Sequence, residues 1–384
     1  MVVVSTKVVR PDSAGDEKLR TEQPKFALIQ AGRGLAALWV VFFHIKKGAL
    51  LTGLTAVLPV WLTTALFDYG SAGVAVFFVI SGFVIAHSLS NVTMSGTRFY
   101  QFIIKRSIRL DPVYWVSIAI TIAVAAILAW VHKTPFALPS LKTIGMHVLY
   151  IQEIVRAPEI NIVYWTLTYE IQFYAVFAAA TWAATVLARR SELIANIVVV
   201  GPLCVLAFVA AVAPDGLFPK GVFANYWHGF FVGVLAYYSG YMRRNAALLL
   251  ALSVTMLITS TWKSQIFNAP CACTAIILYM SARGTFLVNG LRQPIFQILG
   301  RFSYSLYLIH GSIIVALGGA WGRVAGRGLV ADAGALVFLI SLSVLAAAIM
   351  WWAIERPTHK IASNIFNPKD RLREQEIHIS KVNE

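Results

Sequence analysis

The chain has 384 residues, of which 58% are hydrophobic and 13% charged, and its mean hydropathy is +0.72. Soluble domains carry about 25% charged residues, so these values exclude a disordered chain and an ordinary cytosolic enzyme and point to an all-α, polytopic membrane helix bundle. The 32 Lys and Arg against 17 Asp and Glu, a formal +15, would suggest a nucleic-acid partner in a soluble protein. In a membrane protein the positive-inside bias explains such an excess first, and no nucleic acid is inferred.

Residues 1–25 begin with a short apolar start and continue as a polar, charged run, which lacks the pattern of a secretory signal and reads as a cytoplasmic tail. Apolar windows long enough to cross a bilayer follow at 27–48, 70–90, 112–131, 164–187, 193–212, 222–239, 246–261, 265–283, 297–320 and 332–354. They give about ten transmembrane helices in a membrane domain of residues 26–356. The seventh and eighth are the shortest, and the eighth contains Pro270. The outer connection 132–163 contains LPSLKTIGMHVLYI, the pattern of a short amphipathic helix lying along the membrane. Residues 357–384 read as a charged cytoplasmic tail. Cys204, Cys271 and Cys273 lie in apolar segments without ligand spacing, so they read as buried small hydrophobes, and no disulfide or metal site is expected.

An even helix count puts both termini on one side. With both inside, 23 of the 32 Lys and Arg fall in inner segments and 9 in outer ones, so the bias predicts cytoplasmic termini.

Ionisable side chains inside spans cost about 2.5 to 3.5 kcal/mol on insertion scales and are functional candidates by default. In the first helix, GRGLAALWVVFFH, Arg33 and His44 stand 11 residues apart, three turns plus about 20°, so they share a face with about 16 Å between their levels. Arg33 is expected at the inner interface and His44 near mid-membrane. Between the second and third helices, KRSIRLDPVYW places Arg106 and Arg109 one turn apart, with Lys105 beside them. Two guanidinium forks at that spacing can meet one polyanionic group; headgroup contact is the plainer reading. Gly70, Gly73 and Gly82 in the second helix permit close helix approach. In the fourth helix Glu170 is the one acid well inside a span, with Tyr174 on its face and Trp165 at the outer entry. In the ninth, Ser303, Tyr307 and His310 form one polar stripe. His228, without an aligned polar neighbour, reads as structural, and Glu355 before the helix-stopping Pro357 reads as an interface anchor.

Six segments in order, GRGLAALWVVFFH, GSAGVAVFFVISGFVI, KRSIRLDPVYW, WTLTYEIQFY, GRFSYSLYLIHG and the terminal IERP, together resemble the acyltransferase family 3 of integral membrane O-acyltransferases. The resemblance spans residues 32 to 357. It implies transfer of an acyl group, commonly acetyl, from cytoplasmic acyl-CoA to a hydroxyl of a cell-surface or exported polysaccharide or glycolipid, at a bacterial inner membrane and among its lipids. By position, Arg33 and His44 match the family's Arg and essential His, Arg106 and Arg109 its RxxR, and Trp165 and Glu170 its tryptophan and glutamate, with Thr166 where the family has serine. On this reading His44 is the candidate base, Arg33, Arg106 and Arg109 hold the phosphates of CoA, and Glu170 or the Ser303, Tyr307 and His310 stripe orients His44 or binds the acceptor. Direct base catalysis and an acylated histidine both remain open, with direct catalysis preferred. The rival classes are acylation of a lipid or small metabolite, and a transporter or flippase using His44, Glu170 and His310 as a path.

Overall fold

The computed structural model describes residues 26–90, 92–214, 216–261, 266–326 and 328–365. The N-terminal tail and most of the C-terminal one lie outside them. Among the described residues every regular element is a helix, because bilayer-length apolar runs satisfy their backbone polar groups internally only in that form.

The principal helices are α1 (Ala27–Lys47), α2 (Gly73–Leu89), α3 (Gly96–His132), α4 (Leu141–Val148), α5 (Trp165–Ala188), α6 (Gly201–Val212) and α7 (Trp227–Ala236). They are followed by α8 (Ala247–Thr259), α9 (Asn268–Arg283), α10 (Pro294–Arg301), α11 (Ser303–Ala325), α12 (Leu329–Met350) and α13 (Arg356–Asn364). Seven helical stretches among the described residues have the length and apolarity to cross a membrane: Ala27–Lys47, Val60–Leu89, Gly96–His132, Trp165–Ala188, Glu192–Val212, Ser303–Ala325 and Leu329–Asn364. The windows expected at 222–239, 246–261 and 265–283 are helical: α7, with the 3-10 turn before it and the π turn after it, runs from Phe223 to Tyr241, while α8 and α9 have 13 and 16 residues. The protein is an integral membrane helix bundle, with seven of the ten expected crossings among the described residues meeting the requirement of length and apolarity together.

Three boundaries differ from expectation for local reasons. The third helix begins at Gly96, capped by Ser95 Oγ accepting from the Arg98 amide at 3.3 Å, so KRSIRL is helical rather than a connection. The ninth window divides at Phe302 into α10 and α11. Pro357 does not stop the last helix: α12 passes through a π turn, Trp351–Glu355, and continues as α13, with the proline in its first turn where the missing N–H does least harm. The amphipathic segment forms α4, capped by Ser140 Oγ accepting from the Thr143 amide at 3.1 Å.

The loop that carries α4 is pinned to the bundle by polar contacts. The Gln152 amide donates to the Tyr164 carbonyl at 3.2 Å, and Tyr150 donates to Asp111 at 2.8 Å. Buried His147 is held between Tyr114 and the Pro158 carbonyl, and burial pushes its pKa below the usual histidine value.

Phe78, Phe173 and Phe230 stack at 4.2 and 4.4 Å in the centre of the bundle. Outside it, Trp130, Ile197, Val315, Val337 and Trp352 are exposed, a surface suited to lipid rather than water. Cys271 is buried as expected; Cys204 is half-buried and Cys273 exposed, because α9 turns that face outward.

Close crossing of α2 and α7 depends on two glycines. A methyl group at Gly82 would collide with the Phe230 carbonyl, and one at Gly233 with the Val79 carbonyl, so only hydrogen permits the backbones to touch. Gly70 and Gly73 face α1 in the same way. Gly82→Ala should lower stability by about 1–3 kcal/mol through overpacking, visible as a lower unfolding temperature in detergent. Gly145→Ala, where the added carbon meets nothing, should leave it unchanged or slightly raised.

Candidate active site

The polar groups expected on separate helices converge. Arg33 from α1, Arg106 and Arg109 from α3, Glu170 and Tyr174 from α5, and Tyr304 and Tyr307 from α11 line one narrow cavity. Its volume is about 50 Å³, room for a few waters at about 10–15 Å³ each. Lys105 faces away and is exposed.

Three guanidinium groups gathered in an apolar bundle require countercharge. Glu170 supplies one carboxylate, whose Oε1 accepts from Ser81 Oγ at 2.6 Å and from the Tyr174 hydroxyl. Arg106 lies 5.4 Å over the rings of Phe102 and Tyr174 and donates to Ser88 Oγ at 3.3 Å. Arg33 Nε reaches Ser303 Oγ at 3.4 Å. The buried Arg109 Nε has no hydrogen-bond partner, so this cavity holds a cationic donor with unused capacity.

Glu355 supplies the second carboxylate. It is not an interface anchor but is buried, with Oε2 accepting from Ser305 Oγ at 2.6 Å and Oε1 3.9 Å from His359 Nε2. Its placement at a window edge hid this, because the helix extends a further nine residues as α13.

The histidines meet at a different level. His44 lies in the last turn of α1, not at its middle, and Arg33 stands two turns inside the helix rather than at its start. His310 Nε2 is 3.2 Å from His44 Nδ1, and the rings are 4.9 Å apart. His310 Nδ1 is 3.0 Å from the Leu306 carbonyl oxygen and His44 Nδ1 2.9 Å from that of Val40. Carbonyl oxygens only accept, so in the neutral pair each Nδ1 carries the proton. His310 Nε2 is then an acceptor for His44 Nδ1–H, and the lone pair of His44 is left on Nε2.

Tyr307 links the two levels. Its hydroxyl donates to the Val163 carbonyl at 3.1 Å, lies 2.9 Å from Thr166 Oγ1, and its ring is 6.1 Å from His310. Trp165 does not line the arginine cavity; it faces a larger one beside the 153–162 loop. His228 does have a polar neighbour, since Nε2 lies 2.9 Å from Asn268 Oδ1. Sequence spacing had no means of pairing them, as Asn268 comes from another helix. Among the described residues no group of three His, Cys, Asp or Glu is arranged to hold a metal ion.

The family model described as an acyltransferase domain matches residues 26–355. Over 310 residues the chain is 30% identical to the exopolysaccharide production protein ExoZ of Rhizobium meliloti (strain 1021), an alignment covering 76% of this chain and 90% of that protein. It is 24% identical over 367 residues to nodulation protein 10 of Rhizobium leguminosarum bv. viciae, covering 87% and 93% respectively. No solved structure matches the chain.

Ser305→Ala should leave the Glu355 carboxylate buried without its closest donor, at a cost of about 1–3 kcal/mol. The check is the unfolding temperature in detergent, with Ser363→Ala, at an exposed site, as the neutral comparison.

Proposed function

The chain belongs to acyltransferase family 3, and on that premise we propose that it moves an acetyl group from cytoplasmic acetyl-CoA onto a hydroxyl of a cell-surface or exported polysaccharide or glycolipid. The observation that carries the proposal is the set of three half-buried arginines lining one cavity, with a histidine pair further along the same α1–α11 contact whose reactive nitrogen is left free. Acyl transfer from a thioester to an alcohol needs anion binding for the donor, a base for the alcohol proton and donors for the developing oxyanion.

In this reading Arg33, Arg106 and Arg109 bind the anionic groups of acyl-CoA, and Arg109 Nε is the donor with capacity to spare. Glu170, held by Ser81 and Tyr174, keeps the guanidinium groups in place. His44 Nε2 takes the proton from the acceptor hydroxyl. The alcohol oxygen bonds to the thioester carbonyl carbon, the C–S bond breaks, and CoA leaves as the thiol after receiving that proton from His44. His310 holds the His44 tautomer that makes this possible. Ser303 supports Arg33, and Tyr307 couples the two levels. Of the two routes, direct transfer and an acylated histidine, direct transfer is the one preferred here.

The name of the relative ExoZ, an exopolysaccharide production protein, supports a polysaccharide acceptor. We place the protein in a bacterial inner membrane with both termini cytoplasmic, residues 26–356 forming the catalytic domain and 357–384 the C-terminal tail, from the loop charge and the donor's compartment.

Two outcomes test this reading. With purified protein and acetyl-CoA, Arg106→Ala and Arg109→Ala should each raise the Michaelis constant for acetyl-CoA about tenfold or more, with a smaller effect on that for acceptor; an unchanged donor dependence would remove the arginines from the donor site. A C-terminal alkaline phosphatase fusion should be inactive and a green fluorescent protein fusion bright. The reverse pattern would overturn the orientation.

A further inference from the structure

The second cavity, of about 670 Å³, is separate from the arginine cavity and lies within the range of about 300–1,000 Å³ that small-molecule sites occupy. The two share no lining residue, and the consecutive residues Trp165 and Thr166 face one each. Its place along the bundle follows from contacts already described. Ser303 meets Arg33 and His310 meets His44, so α11 and α1 run together from the arginine level to the histidine level. Asn161 donates to Ser312, two residues beyond His310, at 3.4 Å. The segment that carries Ile162 and Trp165 into the cavity wall therefore sits at the histidine end.

The two walls of the cavity differ in chemistry. Along one, Trp165, Tyr169, Tyr226 and Phe267 form a continuous run of rings, with centroids 5.4 Å apart for Trp165–Tyr226, 4.7 Å for Tyr169–Tyr226 and 5.0 Å for Tyr226–Phe267. Along the other, Lys220 Nζ lies 3.1 Å from Glu153 Oε2 and 4.0 Å from Glu159 Oε1, with Arg156 beside them. Glu153 is only 4% exposed, so this polar wall is built into the fold. Burial, with the neighbouring Glu153 carboxylate, holds the Glu159 carboxyl above its ordinary range, and Lys220 opposes that shift. Two carboxylates and two cations cancel, so the wall offers donors and acceptors without net charge.

We propose that this cavity binds the acceptor as an uncharged pyranose unit, its C–H face on the aromatic wall and its hydroxyls on the Glu153, Glu159 and Lys220 wall. The assignment rests on the acyl-transfer reading for its catalytic meaning, but sugar binding itself does not depend on it. A wall without net charge gives an anionic sugar no attraction to offset its desolvation, and an acyl chain meets a polar wall; both fit worse. The donor would thus approach from the arginine level and the acceptor from the opposite side of the Trp165–Leu167 turn, with the histidine pair at the acceptor's level.

The test is calorimetric titration of the full-length protein in detergent with methyl β-D-glucopyranoside, methyl β-D-galactopyranoside and methyl α-D-mannopyranoside, with methyl β-D-glucuronopyranoside as the charged counterpart. Acetyl-CoA turnover is measured on the same preparation. At least one neutral glycoside should bind, more tightly than the glucuronoside, and Tyr226→Leu and Glu159→Gln should each raise its Kd at least tenfold. Glu159 is 41% exposed, so its variant is expected to fold even where loss of the Tyr226 ring prevents folding. Three results would overturn the proposal: no binding of any neutral glycoside, binding indifferent to both substitutions, or preference for the glucuronoside. Glycoside binding without acetyl-CoA turnover would leave the sugar site standing and refute the acyl-transfer reading; turnover without glycoside binding would do the opposite.

Discussion

Three arginines drawn together inside an apolar bundle are the constraint around which the rest of this structure is organised. Desolvating a guanidinium costs several kcal/mol unless carboxylates, hydroxyls or aromatic faces answer it. Here Glu170 and the ring of Tyr174 from α5, and Glu355 from the end of α12, do so, each carboxylate with a serine donor at 2.6 Å. Those partners fix how α2, α5, α11 and the end of α12 stand relative to α3. A bundle that needed only to be stable would be better served by leucines at these positions. The proposed donor, an anionic acyl-CoA, is what would make charge at these positions useful.

The same packing that holds the arginines places the histidines. α11 carries Ser303 to Arg33 and, two turns later, His310 to His44. The backbone carbonyls of Leu306 and Val40 then decide where each imidazole proton sits. Tautomer choice, and with it the position of the basic lone pair, follows from helix register rather than from any additional catalytic residue. Glycines at the α2–α7 crossing and the stacked Phe78, Phe173 and Phe230 hold α2, α5 and α7 against one another.

Much of this was legible in the sequence, and the parts that were not have identifiable causes. Hydropathy located the helices because the bilayer imposes length and apolarity, and the faces shared by Arg33 with His44 and by Glu170 with Tyr174 followed from helical periodicity. Periodicity does not report what lies across a helix interface, which is why the His228–Asn268 contact and the burial of Glu355 were missed. The apparent stop at Pro357 misled because a π turn absorbs the missing N–H. The start of α3 at Gly96 was hidden by its polar first half, which fails an apolar window while still being helical. The count of ten crossings included two windows that fold into helices of 13 and 16 residues, a shortfall that mean hydropathy alone does not reveal.

The central claim is that His44 Nε2 is the base for acyl transfer from acetyl-CoA. It is tested most directly by following release of free CoA from radiolabelled acetyl-CoA by purified wild-type protein and by His44→Ala, with insertion and unfolding temperature matched. The account predicts measurable release by the wild type and a loss of about 10²-fold or more in the variant, the range for removing a general base. Equal release by the two proteins, or none from the wild type, would contradict it.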